Sequence, residues 1–253
     1  MRTKAFATAV LLLAGLSLAH SISTDSANST QKKPKFDAAA KEEGEATPFI
    51  PMSEHQQEHA HLYGSYSGVG KRLTDLARER GEDVTIGIDP PLQMTQPEGE
   101  NGHENALESL ARRVDAIVVA SVKDKTSMFN EGETFVFTEH KVRIEEVIKN
   151  NSSAPIDPGS EITIMRAGGK VLVDGRTIVA IESSVKPIRV GTTYLLFLKW
   201  VPTTGAYQSI SPFEVKGNKL IALNTLLHDF QGERDATAIL DTVRKAGKGG
   251  NDE

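Results

Sequence analysis

Two imidazoles four residues apart, with a carboxylate beside the second, make HQQEHAH (residues 55 to 61) the stretch of this chain best equipped for chemistry. On a helix, positions i and i+4 share a face, so His55 and His59 would project together. The order His55-x-x-Glu58-His59 is that of inverted zincins, in which the histidines bind zinc and the glutamate activates water; His61 adds a third imidazole. Such a centre needs a rigid helix and a further ligand held by its own hydrogen-bond partners. Here Pro48 and Pro51 precede the motif, Gly64, Ser65, Ser67 and Gly68 follow it, and no apolar face fixes the helix. The downstream glutamates at suitable distance, Glu131 and Glu133, fall in a turn. The motif therefore reads as part of a polar linker, with no catalytic residue, no metal and no cofactor expected. His55, Glu58, His59 and His61 are the candidates for a metal, and a zinc-dependent hydrolase is the alternative function.

Other chemistry finds little support. His140 falls on the apolar face of a strand and reads as a core histidine. His103-Glu104 and His228-Asp229 read as solvated or capping groups near helix ends, and Glu145-Glu146 as a solvated strand edge. GSYSGVGKR fails as a phosphate loop, because Ser65 stands where the first glycine is required and Arg72 replaces the Ser or Thr that would hold magnesium. No G-x-S-x-G occurs. For binding, Trp200 and Tyr207 flank the VPTTG loop and Phe129 lies in another. Exposed there, these aromatics would suit a peptide or saccharide; the competing reading has Trp200 closing the end of a core strand.

Composition limits the possible roles further. The chain has 253 residues, a net charge of −5 from 29 Lys+Arg against 34 Asp+Glu, and no cysteine. Charges of both signs are interspersed, which argues against a nucleic-acid binder. Without cysteine there is no disulfide, thiol nucleophile or thiolate zinc site, so burial alone must hold the core. MRTK followed by AFATAVLLLAGLSLA has the charged and apolar regions of a secretory signal peptide, with Ala19-His20-Ser21 as a small-residue cleavage site. No second apolar run is long enough to span a bilayer, so a secreted or periplasmic protein without stable membrane insertion is expected.

The elements then follow from patterning. After a signal peptide over 1–21, residues 22–68 are rich in Ser, Lys, Glu and Gln and predict a disordered tether. Residues 69–102 read as a short helix (Val69, Leu73, Leu76, Ala77, ended by Gly81), a strand (Val84, Ile86, Ile88) and a polar linker. The domain proper spans 103–226. Asn101 and Glu104 have capping-box spacing before a helical stripe of Leu107, Leu110, Ala111 and Val114. AIVVASV (116–122) is a strand apolar on both faces, and a long strand from Thr134 to Ile148 puts Val136, Thr138, His140, Val142 and Ile144 on one face. Phe135 and Phe137 make its other face apolar at the start, and the alternation slips at Glu145-Glu146, so a bent strand with a bulge is expected. EITIM, a hairpin turning on Asp174-Gly175, the very apolar TYLLFLKW, an edge strand AYQSIS, and a hairpin turning on Gly217-Asn218 complete the β part. A helix over 227–247, carried by Ala236, Ile239, Leu240 and Val243 and stopped by Gly247, precedes a tail at 248–253.

VDAIVVASV, HKVRIEEVIKNN, EITIMRAGGK and IRVGTTYLLFL, in that order, resemble a group of exported bacterial proteins. The resemblance covers about 105 to 225, departing at Ala120 and at Asn150, where the group has glycine. It implies a barrel of the OB type, related in shape to netrin-like modules and tissue inhibitors of metalloproteinases. Those inhibitors present an N-terminal cysteine to zinc, which this chain cannot do, so a protease inhibitor would have to work without cysteine. The expected fold is mainly β: a small OB-like closed or partly open barrel, one helix flanking each side, preceded by the tether. The expected role is non-catalytic binding of a protein or cell-envelope component.

Overall fold

The computed structural model describes residues 41, 43–64, 70–88, 106–225, 227, 230 and 232–248. The expected signal peptide, most of the tether, the Asn101–Glu104 capping box, His228-Asp229 and nearly all of the tail lie outside those residues. Among the described residues no helix is long and apolar enough to cross a membrane.

The fold is mainly β and OB-like. Five strands form the barrel: β3 (Ala116–Phe129), β4 (Val136–Lys149), β5 (Glu161–Ala167), β8 (Thr193–Val201) and β9 (Ala206–Lys216). Their pairings run β9-β5-β4-β3-β8, and β8 pairs back to β9. The seam between β5 and β9 is parallel and only two residue pairs long, Ile164↔Tyr207 and Met165↔Gln208, which leaves the barrel partly open there. TYLLFLKW is central, held between β3 and β9. AYQSIS is not an edge strand: it runs on through Pro212 into FEVK as one strand, with Ile210 bulged out where the register shifts between Phe197 and Leu198. β3 is also longer than its apolar run, since after a bulge at Lys123 the pairing with β4 continues from Asp124 to Phe129. The expected bulge in β4 is present: Val119 faces Glu146 while Ala120 faces Ile144, so Glu145 is skipped.

The hairpin of β6 (Gly169–Val173) and β7 (Arg176–Glu182) leaves the barrel and builds a second sheet, with Asp174 and Gly175 both at positive φ as a type I′ turn demands. Segments from far upstream complete it. β1 (Thr47–Pro48) pairs parallel to β6, and β2 (Val84–Ile88) parallel to β7. Of residues 69–102, the described part (70–88) is thus not separate: its strand is built into this sheet. The expected helix there is α2 (Leu73–Arg80), closed by Gly81 in the left-handed region.

Two further helices cover the barrel. α3 (Ala106–Arg113) and α4 (Ala236–Lys248) pack Leu107, Ala111, Ile239 and Val243 with Phe197, Phe213 and Leu220. Lys149 Nζ donates to the carbonyls of Ala111, Arg112 and Val114 at 2.9, 3.1 and 2.7 Å, capping α3 from the end of β4. Gly247 does not stop α4, which continues through it against Lys149. A short strand β11 (Glu233–Asp235), added to β10 (Lys219–Ala222), occupies the start of the expected helix.

One strand face serves two cores. Along β4, Val136 packs in the core under the second sheet, while Val142 and Ile144 pack inside the barrel. Between them lies a polar band of Thr138, His140 and their neighbours Ser127, Lys125 and Arg166. Ser127 and Thr138 share a hydroxyl hydrogen bond of 2.8 Å, and Thr138 donates to Gly168 O at 2.7 Å. Arg166 donates to Val185 O at 2.7 Å and lies 3.5 Å from Glu182, whose pKa burial raises against the opposing pull of Arg166. His140 is a core histidine as expected. Burial, with Arg166 and Lys125 adding to it, lowers its pKa from 6.5 to about 3.

Two predictions follow from this band. Gly169, at φ +142°, has no room for a Cβ, which would overlap Thr138 Oγ1 and Ser127 Oγ. Gly169→Ala should cost about 2 kcal/mol or more in urea unfolding, whereas Gly175→Ala, with open space around it, should cost about 1 kcal/mol for its positive φ. Because the folded pKa of His140 lies below its unfolded value, its contribution is complete above about pH 6.5 and is lost as pH falls toward 3. Unfolding free energies measured from pH 7 down to 4 should therefore fall more steeply in the parent than in His140→Leu, by up to about 1.4 kcal/mol per pH unit.

Candidate functional site

HQQEHAH is helical and docked, not part of a tether. α1 (Glu54–Leu62) starts at Ser53, whose Oγ accepts from Gln56 N at 3.3 Å while Gln56 Oε1 accepts from Ser53 N at 3.0 Å. This is a reciprocal capping box written in the sequence as Ser53-x-x-Gln56. The helix has no conventional apolar face, yet Met52, Gln56, His59, Ala60 and Tyr63 line up at helical spacing and turn inward. His59 and Ala60 are fully buried. Tyr63 stacks between Phe135 and Phe137, with ring centroids at 5.4 and 5.0 Å, and its carbonyl accepts from Asn130 Nδ2 at 2.9 Å. Phe135 and Phe137 are the residues that made the outer face of β4 apolar at its start, and α1 is what covers them.

The next residue on that face is Glu139, and His59 lies against it. His59 Nδ1 contacts Glu139 Oε1, and His59 Nε2 lies 3.3 Å from the carbonyl of Thr204 in the β8–β9 turn. Gln56 Nε2 donates to the other carboxylate oxygen of Glu139 at 3.4 Å. His55, one turn back and exposed, sets its ring edge against that of His59 with centroids 4.3 Å apart. His55, His59 and Glu139 form the group of His and carboxylate side chains placed to share an ion, with one donor atom from each within 4.8 Å of the others.

Of the four candidates read from the motif, then, two come together. Glu58 is exposed and outside the cluster, on the solvent side of α1. His61 also points to solvent, 3.2 Å from exposed Glu131. The zincin-like pairing of His55, Glu58 and His59 is not assembled, and the carboxylate that joins the histidines is one the motif does not contain. The signals that could have placed α1 were the Ser53–Gln56 box and the Met52-to-Tyr63 stripe, which shows once His59 and Gln56 are allowed to be buried.

The aromatic candidates are not exposed. Phe129 is 2% accessible, and Tyr207 is buried with its hydroxyl donating to Ala154 O. Trp200 is half-buried and tilted on Tyr207, centroids 4.9 Å apart, where it closes the barrel core. Exposed large apolar side chains occur instead at Phe49, Ile50 and Leu172, with Val190 elsewhere. Phe49 N donates to Leu172 O at 2.9 Å, so these residues adjoin one another across the β1–β6 edge. Phe49 and Ile50 themselves line a cleft, together with Met52, Gln56, Met128 and Phe129.

Comparison with known proteins adds no relative: no protein-family model and no curated protein matches the chain.

The His59 contact predicts a measurable anchor. His59→Ala should lower unfolding free energy by about 2–4 kcal/mol, since it leaves a mostly buried carboxylate with only the long hydrogen bond from Gln56. Hydrogen exchange at the amides of residues 54–62 should accelerate with it, while His61→Ala stays within about 0.5 kcal/mol of the parent.

Proposed function

We propose that this is an exported, non-catalytic binding protein whose barrel and docked N-terminal helix present an apolar surface to a protein of the cell envelope. The observation that carries this reading is the adjoining exposure of Phe49 (49%), Ile50 (57%) and Leu172 (37%), when among the described residues the other large apolar side chains, Val190 apart, are buried or half-buried. Exposed aromatic and aliphatic side chains gathered beside a cleft, not scattered singly, are what a protein partner covers. The patch is also held in place. β1 is hydrogen-bonded to β6, Ser127 N donates to Thr47 Oγ1 at 3.0 Å, and α1 begins at Glu54, with its cap Ser53 shortly after Phe49.

Export rests on the N-terminal apolar run and the charged residues before it. Against the hydrolase alternative stands the outward position of Glu58, the residue that would have to activate water.

A photo-crosslinking residue at Leu172, introduced in the native host, should capture a discrete envelope protein. Recovery of that protein should fall at least tenfold in Phe49→Ser/Ile50→Ser and be unchanged in Val190→Ser, which alters an exposed apolar residue elsewhere. Equal recovery from the two variants would sink the reading.

A further inference from the structure

We propose that His55, His59 and Glu139 bind a divalent transition-metal ion of the zinc, nickel or copper class at the seam between α1 and the barrel. The donor atoms converge already, all within 4.8 Å of one another, although they come from a helix and from a strand eighty residues away. Hydrogen bonds on the far side of each group aim His59 Nδ1 and Glu139 Oε1 at one another, where they are in direct contact. His59 Nε2 faces the Thr204 carbonyl, which can only accept, so that nitrogen carries the proton. In the neutral ring the lone pair is then on Nδ1, aimed at the Glu139 carboxylate. Two groups that both offer lone pairs repel unless a cation lies between them. In the closed contact a hydrogen bond joins the two atoms; a metal ion would take its place with the Glu139 side chain turned to widen the gap.

The surroundings are those of a ligand set. A metal-bound histidine characteristically gives its other N–H to a backbone carbonyl, as His59 does to Thr204, and a metal-bound carboxylate is steadied through its second oxygen, as Glu139 is by Gln56. His55 is exposed on the solvent side of the pair, so an ion can enter without opening the barrel. Two imidazoles and one carboxylate suit borderline transition metals and not calcium or magnesium, which take oxygen ligands. Three protein donors leave at least one position for water or for a partner's side chain. The ion would pin α1 to β4 a few residues from Phe49 and Ile50, on the same side of the molecule as the apolar patch.

The test uses full-length protein purified without an affinity tag, stripped with a chelator and titrated with Zn(II) by calorimetry and with Co(II) by visible absorption. One ion per chain should bind with Kd near or below about 1 μM, and cobalt should show the intense ligand-field bands of a low-coordinate site. His55→Ala, an exposed position that leaves the packing intact, and Glu139→Gln should each weaken binding at least tenfold, with circular dichroism unchanged. Glu58→Gln and His61→Ala should bind as the parent does. Any other pattern overturns the proposal: no stoichiometric ion, binding insensitive to His55→Ala or Glu139→Gln, or equal loss in His61→Ala, which would mean an adventitious histidine tract only.

Discussion

Strand β4 has to satisfy two different environments on each of its faces, and most of the molecule is arranged around that constraint. Its inward face passes from Val136, under the second sheet, through Thr138 and His140 to Val142 and Ile144 inside the barrel. Its outward face passes from Phe135 and Phe137 through Glu139 to exposed Lys141 and Arg143. A strand of fixed two-residue period can do this only if something covers the aromatic start of the outer face. That cover is α1 with Tyr63. The bulge at Glu145 then resets the register at the far end, where Lys149 reaches the end of α3.

Placing α1 over the phenylalanines also brings its histidines to Glu139. Burying a carboxylate and an imidazole is costly unless each finds a partner, and here every polar atom of the pair has one: Nδ1 with Oε1, Nε2 with the Thr204 carbonyl, Oε2 with Gln56. The contact gives the helix a single register on the barrel, which its weak apolar stripe could not do. The same arrangement is what turns a docking contact into a site of ion-binding geometry, so stability and chemistry here share their residues.

The second sheet extends this economy of parts. β1 and β2 contribute seven residues between them (Thr47–Pro48 and Val84–Ile88), too few to fold alone, and both are ordered by parallel pairing to a hairpin that the barrel sends out. Because Phe49 continues from β1 and is bonded to Leu172, the apolar patch exists only when the upstream segment is in place. A binding surface assembled from distant segments is thereby tied to the integrity of the whole fold.

The amino-acid sequence by itself determined the local events. Alternation in VFTEHKVRI set the faces of β4 and foretold its bulge, Asp174-Gly175 set a hairpin turn, Gly81 ended α2, and the stripe of Ile239, Leu240 and Val243 made α4. These depend on residues within a few positions of one another. Tertiary structure alone decided that Glu139, not Glu58, joins His55 and His59, that Phe129 and Tyr207 turn inward, and that β1 and β2 lie parallel to β6 and β7. The physical reason is the same in each case. A parallel pairing has no turn of its own to announce it, and a histidine reads as a polar, linker-like residue until the strand that supplies its carboxylate has folded beneath it.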